Sequence, residues 1–404
     1  MKILIYGINF SPELTGIGKY TGEMADWFAE QGHDVRVITA PPYYPEWQVH
    51  AGFRNGWFST EQHKNMRVYR CPLYVPAKVS TLKRLLHLAS FSFSSFFPLL
   101  AQIGWKPDLI ICVAPSLFCA PGALLFSKLT GCQSVLHIQD FEVDAMLGLG
   151  MAKTGIAARL AAAFERWCLR SFRYVSTISH SMLARAETKG VKPENLLLFP
   201  NWSEVERFTE VDPAVVRQLS QKFEIPPDHK VVLYSGNIGE KQGLEIVIEA
   251  AKTLADQKIL FLIVGNGAGK EKLETLATEQ QLTNVRFLPL QPYELLPALL
   301  KLADCHLVVQ KRGVADAVLP SKLTNILAVG GNAVITAESD TELGKLCRNY
   351  PGIGVCVEPE QADVLVEGIR QVMLLPAENL TAKQYASDNL AKENVLHNFI
   401  QYFR

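Results

Sequence analysis

The sequence lacks a charge excess of either sign: 40 Lys and Arg stand against 40 Asp and Glu in 404 residues. A protein devoted to nucleic acid normally carries surplus basic charge, so no nucleic-acid partner is expected. None of the eight cysteines (Cys71, Cys112, Cys119, Cys132, Cys168, Cys305, Cys347 and Cys356) falls in a C-x-x-C pair, which leaves a zinc or thioredoxin-like motif without support. Most lie in apolar runs such as Leu109-Ile110-Ile111-Cys112-Val113 and read as buried free thiols of a reducing, cytoplasmic compartment. The opening apolar run, Met1–Tyr6, is too short for a secretory signal. Low-complexity tracts, short-period repeats and D-x-D pairs are missing as well. Nothing here suggests a disordered tract, a solenoid or a carboxylate pair for a divalent ion, so no metal is expected.

Two uncharged stretches, Leu85–Trp105 and Leu109–Ser127, invite a transmembrane reading. A spanning helix needs roughly 20 predominantly apolar residues. The first stretch contains His87, Pro98, Gln102 and four serines; Pro115, Pro121 and Gly122 interrupt the second. Neither reads as a span, although the first suits a helix lying on a membrane surface.

What remains is a globular pattern, with 48% hydrophobic and 20% charged residues and enough length for two domains. Short β-branched runs at Lys2–Tyr6, Asp34–Thr39, Asp108–Val113, Ser134–Ile138 and Tyr174–Ile178 alternate with helical periods at Lys19–Gln31, Gly122–Thr130, Ile156–Ser171 and Ser181–Lys189. After Pro200 the rhythm restarts. Strands are expected at Lys230–Ser235, Ile259–Val264, Val285–Leu288, Cys305–Gln310, Ala333–Thr336 and Gly354–Val357, with helices between them and a closing helix over Ala382–Tyr402. Strands alternating with helices imply right-handed βαβ units and parallel sheets. The economical reading is α/β: two Rossmann-like domains in tandem, residues 1–203 and 204–380. Ligands of such sheets bind beyond the carboxyl ends of the strands, which is where chemistry belongs.

Five segments carry it. Gly16 and Gly18 precede the first helix and suit backbone N–H groups approaching an anion. The dinucleotide fingerprint fits poorly there, because Thr21 occupies its third glycine position and no acid ends the second strand. The run His137-Ile138-Gln139-Asp140-Phe141-Glu142 offers a general base or partners for sugar hydroxyls, with Asp140 the first acid past the strand. Gly236-Asn237-Ile238-Gly239-Glu240-Lys241 places flexible backbone and one cation before a helix; Gly265-Asn266-Gly267 adds a weaker glycine signal. Pro320-Ser321-Lys322 suits a helix start, and Ser321 and Asn325, four apart, share a face. Plain turns and a merely capped helix are the alternative readings of these glycines and of Ser321.

With these segments in view, the chain resembles the GT-B glycosyltransferases of family 4, in the branch that builds colanic-acid-type exopolysaccharides. The likeness rests on Tyr6-Gly7-Ile8-Asn9-Phe10-Ser11-Pro12-Glu13, Gln139-Asp140, Phe199-Pro200-Asn201, Gly236-Asn237-Ile238-Gly239 and Pro320-Ser321-Lys322-Leu323. It implies two domains facing a central cleft, an acceptor saccharide on the N-terminal one and a nucleotide-sugar donor on the C-terminal one. It also implies that 381–404 returns to the first domain. Lys241, Ser321 and Lys322 would meet the donor diphosphate, Asn325 the ribose, and Asn237, Gly265, Asn266 and Gly267 the rest of the donor. Gly16 and Gly18 would border the phosphates, Asp140 would lie near the reacting carbon, and Tyr20, His137 and Glu142 would serve the acceptor. The expected reaction is retaining transfer without metal or cofactor, Asp140 and Lys241 being the catalytic candidates. Two departures stand out: Ala317 and Asn325 replace the paired glutamates of the family, and Asn237 replaces a frequent arginine. Asp316 is positioned to compensate. A nucleotide-sugar 2-epimerase of the same fold and a non-catalytic binding subunit are the competing readings.

The zero net charge conceals an asymmetry. Residues 1–200 carry +6 and the remainder −6, and no acid occurs between Gln62 and Pro107. A basic first half beside Phe91, Phe93, Phe96 and Phe97 suits an anionic lipid, so peripheral contact through 78–105 on the inner face of the cell membrane is expected, with a lipid-diphosphate-linked acceptor.

Overall fold

The computed structural model describes residues 1–13, 16–44, 46–77, 80–144, 155–313 and 319–403. The chain divides into two compact units, Met1–Pro200 with Leu396–Arg404, and Asn201–Val395. Asp316, Ala317 and Lys78, singled out above, lie outside the described residues.

The first unit is built on eight strands: β1 (Lys2–Gly7), β2 (Asp34–Thr39), β3 (Ser59–His63), β4 (Met66–Arg70), β5 (Leu109–Ala114), β6 (Gln133–Ile138), β7 (Tyr174–Thr177) and β8 (Leu196–Leu198). Their order is β3-β4-β2-β1-β5-β6-β7-β8, and every pairing is parallel except β3 with β4. All six residues of β5 are buried, as a strand covered on both faces requires. The order reverses at β1 and β5, which opens a crevice at their carboxyl ends.

The second unit holds β9 (Lys230–Ser235), β10 (Ile259–Val264), β11 (Val285–Leu288), β12 (Cys305–Val308), β13 (Ala333–Thr336) and β14 (Val355–Val357). They form one parallel sheet ordered β11-β10-β9-β12-β13-β14. Its switch point lies between β9 and β12. Apolar residues of the flanking helices meet those of the strands on both faces, Leu323 in one cluster with Leu262 and Ile369 in the other with Phe261.

Several elements depart from the sequence reading. The hairpin β3–β4 escaped it because β3, Ser-Thr-Glu-Gln-His, is a polar edge strand with little burial. The polar stretch after Trp202 contains the helix Pro213–Lys222, started by Asp212, whose carboxylate accepts from the Ala214 N–H at 2.8 Å. The closing helix is two helices, Leu380–Leu390 and Lys392–Gln401, parted at Ala391 where Ser203 N–H donates to Leu390 C=O.

Arg70 ties the edge of the first sheet to the loop after β1. Its guanidinium, 3% exposed, donates to the Ala40 and Ser11 carbonyls and twice to Glu61, and stacks 4.8 Å from the Phe53 ring centroid. Arg70→Met strands two carbonyls and a carboxylate. It is expected to cost about 3 kcal/mol, near the low end for a broken buried pair because Glu61 still reaches water. The urea midpoint should fall with the slope unchanged.

Candidate functional site

In the second unit a cavity of about 310 Å³ opens at the carboxyl ends of β9, β11 and β12. Leu233, Leu290, Leu296, Leu299, Leu300 and Ile326 give it an apolar floor and wall, while Ser235, Gly236, Gln291, Ser321, Lys322 and Asn325 supply polar groups. The helix Ser321–Ala328 enters here. Pro320 precedes it in extended conformation, and no side chain caps the start. Free N–H groups at a helix start carry partial positive charge and attract anions.

Lys322 is the electrostatic centre of this cavity. Its ammonium donates to the Tyr234 hydroxyl at 2.8 Å and lies 4.1 Å from that ring's centroid. Tyr234 OH donates onward to the Asn237 carbonyl at 2.6 Å. No carboxylate among the described residues pairs with Lys322, and burial pushes its pKa down to about 8. Gly236 makes room for it: a Cβ there would stand 2.9 Å from the Lys322 Nζ. The result is a half-buried cation beside a helix start, without a carboxylate partner among the described residues. That arrangement suits an anionic ligand.

Of the residues expected to hold a donor, Ser321, Lys322 and Asn325 line this cavity together. Asn325 Oδ1 also accepts from Ser203 Oγ at 3.1 Å. Lys241, Asn237 and Asn266 are exposed on neighbouring loops and do not line it. Gly265 and Gly267 stand against protein backbone. A Cβ on either would strike the backbone carbonyl of Gly236 or Ile238, and these loops are laced by Gly236 N–H to Val264 C=O and Ile238 N–H to Asn266 C=O. Their glycines allow two loops to pack backbone to backbone.

Sequence reasoning missed Tyr234, Gln291, Tyr293 and His306. His306 lies in the cavity floor, 1% exposed, with both ring nitrogens lacking a hydrogen-bond partner, and burial lowers its pKa to about 4. A histidine inside the apolar run Cys305–Val309 was the available signal. Tyr234 and Tyr293 carried none, because their roles arise from contacts distant in sequence.

The first unit has its own cavity of about 200 Å³ at the carboxyl ends of β1, β5 and β6. Asn9, Gly16, Tyr44, Trp47, Arg84 and Asp140 are among its walls. Asp140 is exposed there. Gly18 points elsewhere: a Cβ on it would collide with Glu13, whose buried carboxylate accepts from the Tyr43 and Tyr44 N–H groups at 3.1 Å and from Asn9 at 2.9 Å. His137 is a core residue, 3% exposed, with Nδ1 paired to Ser176 Oγ and Nε2 to Gln139, both at 2.9 Å. Burial drops its pKa to about 3, so it stays neutral at physiological pH. Glu142 accepts from the Leu117 N–H at 2.6 Å, and burial lifts its pKa to about 7. Tyr20 lies beside Lys19 outside the cavity. Asp140 and Gly16 are therefore brought together; His137, Glu142, Gly18 and Tyr20 do not line this cavity.

Two parallel-sheet α/β units with strand-end cavities define a class, and comparison with known proteins names it. Residues 15–202 match the glycosyl transferase 4-like domain and residues 215–389 the glycosyl transferases group 1. The chain is 62% identical, over the full length of both proteins, to WcaI of Escherichia coli (strain K12), described as a colanic acid biosynthesis glycosyl transferase. The protein belongs to the family 4 GT-B glycosyltransferases. Among solved structures, sucrose-phosphate synthase from Thermosynechococcus elongatus superposes with a TM-score of 0.70 at 16% identity, covering 100% of this chain and 98% of that one. HepE of Anabaena, in complex with UDP, gives 0.68 at 13% identity, covering 100% and 99%. At these identities the structures share the fold.

Proposed function

We propose that this glycosyltransferase moves a sugar, with retention of anomeric configuration and without a metal, from a nucleotide-sugar donor to a lipid-diphosphate-linked saccharide in the assembly of a colanic-acid-type exopolysaccharide. The carrying observation is Lys322: an ammonium with no carboxylate partner among the described residues, at an uncapped helix start, beside an apolar cavity. The 62%-identical relative named for colanic acid biosynthesis supports the pathway, and the complex of HepE with UDP supports a nucleotide ligand for this fold.

In this reading the base and ribose take the apolar cavity, with Asn325 toward the ribose. The diphosphate takes Ser321, Lys322 and the helix N–H groups, with Lys241 as a second cation. The leaving nucleoside diphosphate gains negative charge as the glycosidic bond breaks, so fixed positive charge lowers the barrier. A phosphate oxygen of the leaving group then accepts the acceptor's proton. The acceptor belongs to the first unit, where Asp140 positions its hydroxyl. The enzyme works in the cytoplasm, on the inner face of the cell membrane.

Incubation with radiolabelled UDP- and GDP-sugars, with and without a polyprenyl-diphosphate-linked saccharide, tests this. Label should pass to the lipid only when acceptor is present. A changed free sugar formed without acceptor would establish the epimerase instead, and donor binding with no product in any arm would leave a binding subunit.

A further inference from the structure

Three helices of the first unit expose apolar stripes where a monomer ordinarily shows polar ones. On Thr81–Ala101, Leu82, Leu86, Phe93 and Phe97 recur at helical spacing and all reach solvent, Phe93 at 72% exposure. On the segment leading through Ala120–Thr130, Phe118, Leu125 and Leu129 do the same. On Ile156–Ser171 the stripe is Ile156, Leu160 and Trp167, the first two exposed at 79% and 64%.

The stripes adjoin. Ser92 Oγ donates to the Phe118 carbonyl at 2.7 Å, and a Cβ on Gly122 would stand 3.3 Å from the Phe96 ring. Phe118 and Phe164 have ring centroids 6.2 Å apart, and Phe164 stacks with Trp167 at 6.1 Å. The inner side of the first helix is tied to the unit. Its Ser95 pairs with the buried Tyr6 hydroxyl at 2.7 Å, and its His87 Nδ1 donates to the Tyr74 carbonyl at 2.6 Å. Leu82–Trp105 has the length and composition to cross a bilayer, yet these buried polar bonds hold it along the protein.

Charge selects the occupant. Every exposed ionisable side chain on the three helices is basic: Lys83, Arg84, Lys128, Arg159, Arg166 and Arg170. Their one acid, Glu165, is 3% exposed and pairs with Lys189. A second copy of the chain seated on the same face would set basic charge against basic charge. An anionic lipid surface offers both what the stripes and what the cations require: acyl chains for the aromatic and aliphatic groups, and phosphates for long side chains that reach outward.

We propose that this three-helix face docks the protein on an anionic bilayer, its apolar stripes entering the headgroup boundary and Lys128, Arg159 and Arg166 meeting lipid phosphates. The inference rests on the peripheral-membrane reading above and names the surface that performs it. The first helix also supplies Arg84, His87 and Leu88 to the cavity containing Asp140, so docking brings that cavity to the lipid level.

Co-sedimentation of the full chain with phosphatidylethanolamine/phosphatidylglycerol vesicles (3:1), without donor or acceptor, tests it. The wild type should bind, several-fold less well at 0.5 M salt than at 0.05 M. Leu160→Glu/Trp167→Glu should reduce the bound fraction at least tenfold, and Lys128→Glu/Arg166→Glu by more than the roughly fivefold expected for each lost cation. All four positions are exposed, and an unchanged melting temperature shows that the variants fold. The variants should still transfer sugar to acceptor dispersed in detergent. Wild-type binding that both variants retain overturns this face while leaving peripheral association standing. No wild-type binding overturns both, and conversion of a wild-type dimer to monomer by the variants assigns the face to a second copy instead.

Discussion

Lys322→Met is expected to lower kcat/KM about a thousandfold, equivalent to about 4 kcal/mol of lost transition-state stabilisation. Burial sets the state of this side chain. A lysine taken out of water without a carboxylate is disfavoured in its charged form, which is why its pKa sits at about 8. Binding a diphosphate supplies the missing counter-charge, and the interaction strengthens as the leaving group gains charge, so kcat falls together with kcat/KM. Methionine fills the same volume and removes the unpaired charge. The unliganded variant should therefore melt no lower than the wild type, which separates lost catalysis from lost fold. The pH dependence follows with a definite sign. Free enzyme holds the productive ammonium below pH 8, so kcat/KM should decline as pH rises through about 8, and the methionine variant should lose that limb. Because the folded pKa lies below the unfolded value of about 10.4, the unfolded chain binds more protons between the two. Unliganded stability should accordingly rise with pH across that window, with Lys322→Met abolishing the increment. A kcat/KM within threefold of wild type would falsify the assignment of Lys322 to the leaving group.

Much of the fold was legible because burial on both sheet faces leaves a strong apolar signature. β9, β10, β11 and β13 have the bounds the apolar runs suggested, as does the helix Ile156–Ser171. The edge hairpin β3–β4 was not legible, since an edge strand in water has no reason to be apolar. The candidate site divides along the same line. Ser321, Lys322 and Asn325 were readable because a helix start is a local event, with Pro320 before it and Gly330 after it. Tyr234, which holds the Lys322 ammonium, and His306, which lies beneath the cavity, are joined to that helix only by the sheet. Glycine was legible as a demand for space but not as to its occupant. At Gly236 the space admits Lys322, at Gly18 it admits Glu13, and at Gly265 another stretch of backbone. His137 shows the converse: a titratable group at a strand end, yet one whose ring packs 4.8 Å from Phe199 with both nitrogens engaged inside the unit.

Lys241→Ala is expected to lower kcat by at least a hundredfold while moving KM little. Lys241 differs from Lys322 in exposure: it stands outside the apolar cavity and has no ion-pair partner among the described residues. Its backbone is nevertheless fixed. Gln242 N–H donates to the Gly239 carbonyl at 3.2 Å, the Gln242 side chain returns to the Gly239 N–H at 3.1 Å, and Lys311 N–H donates to the Lys241 carbonyl at 3.0 Å. Buried Ile238 anchors the same loop from below. A cation on a fixed loop with a solvated side chain loses little by waiting in water, so it adds little to ground-state binding. In the proposed mechanism it acts when charge concentrates on the leaving diphosphate, and removing one such preorganised donor typically costs 10²–10³ in kcat. Arginine at this position keeps the charge but changes its reach and shape, and should recover only part of the rate. Steady-state transfer assays of Lys241→Ala and Lys241→Arg decide the matter. A rate unchanged in both removes Lys241 from the mechanism and leaves Lys322 with the helix start as the diphosphate's electrostatic partners, whereas a raised KM at constant kcat makes Lys241 a binding group alone.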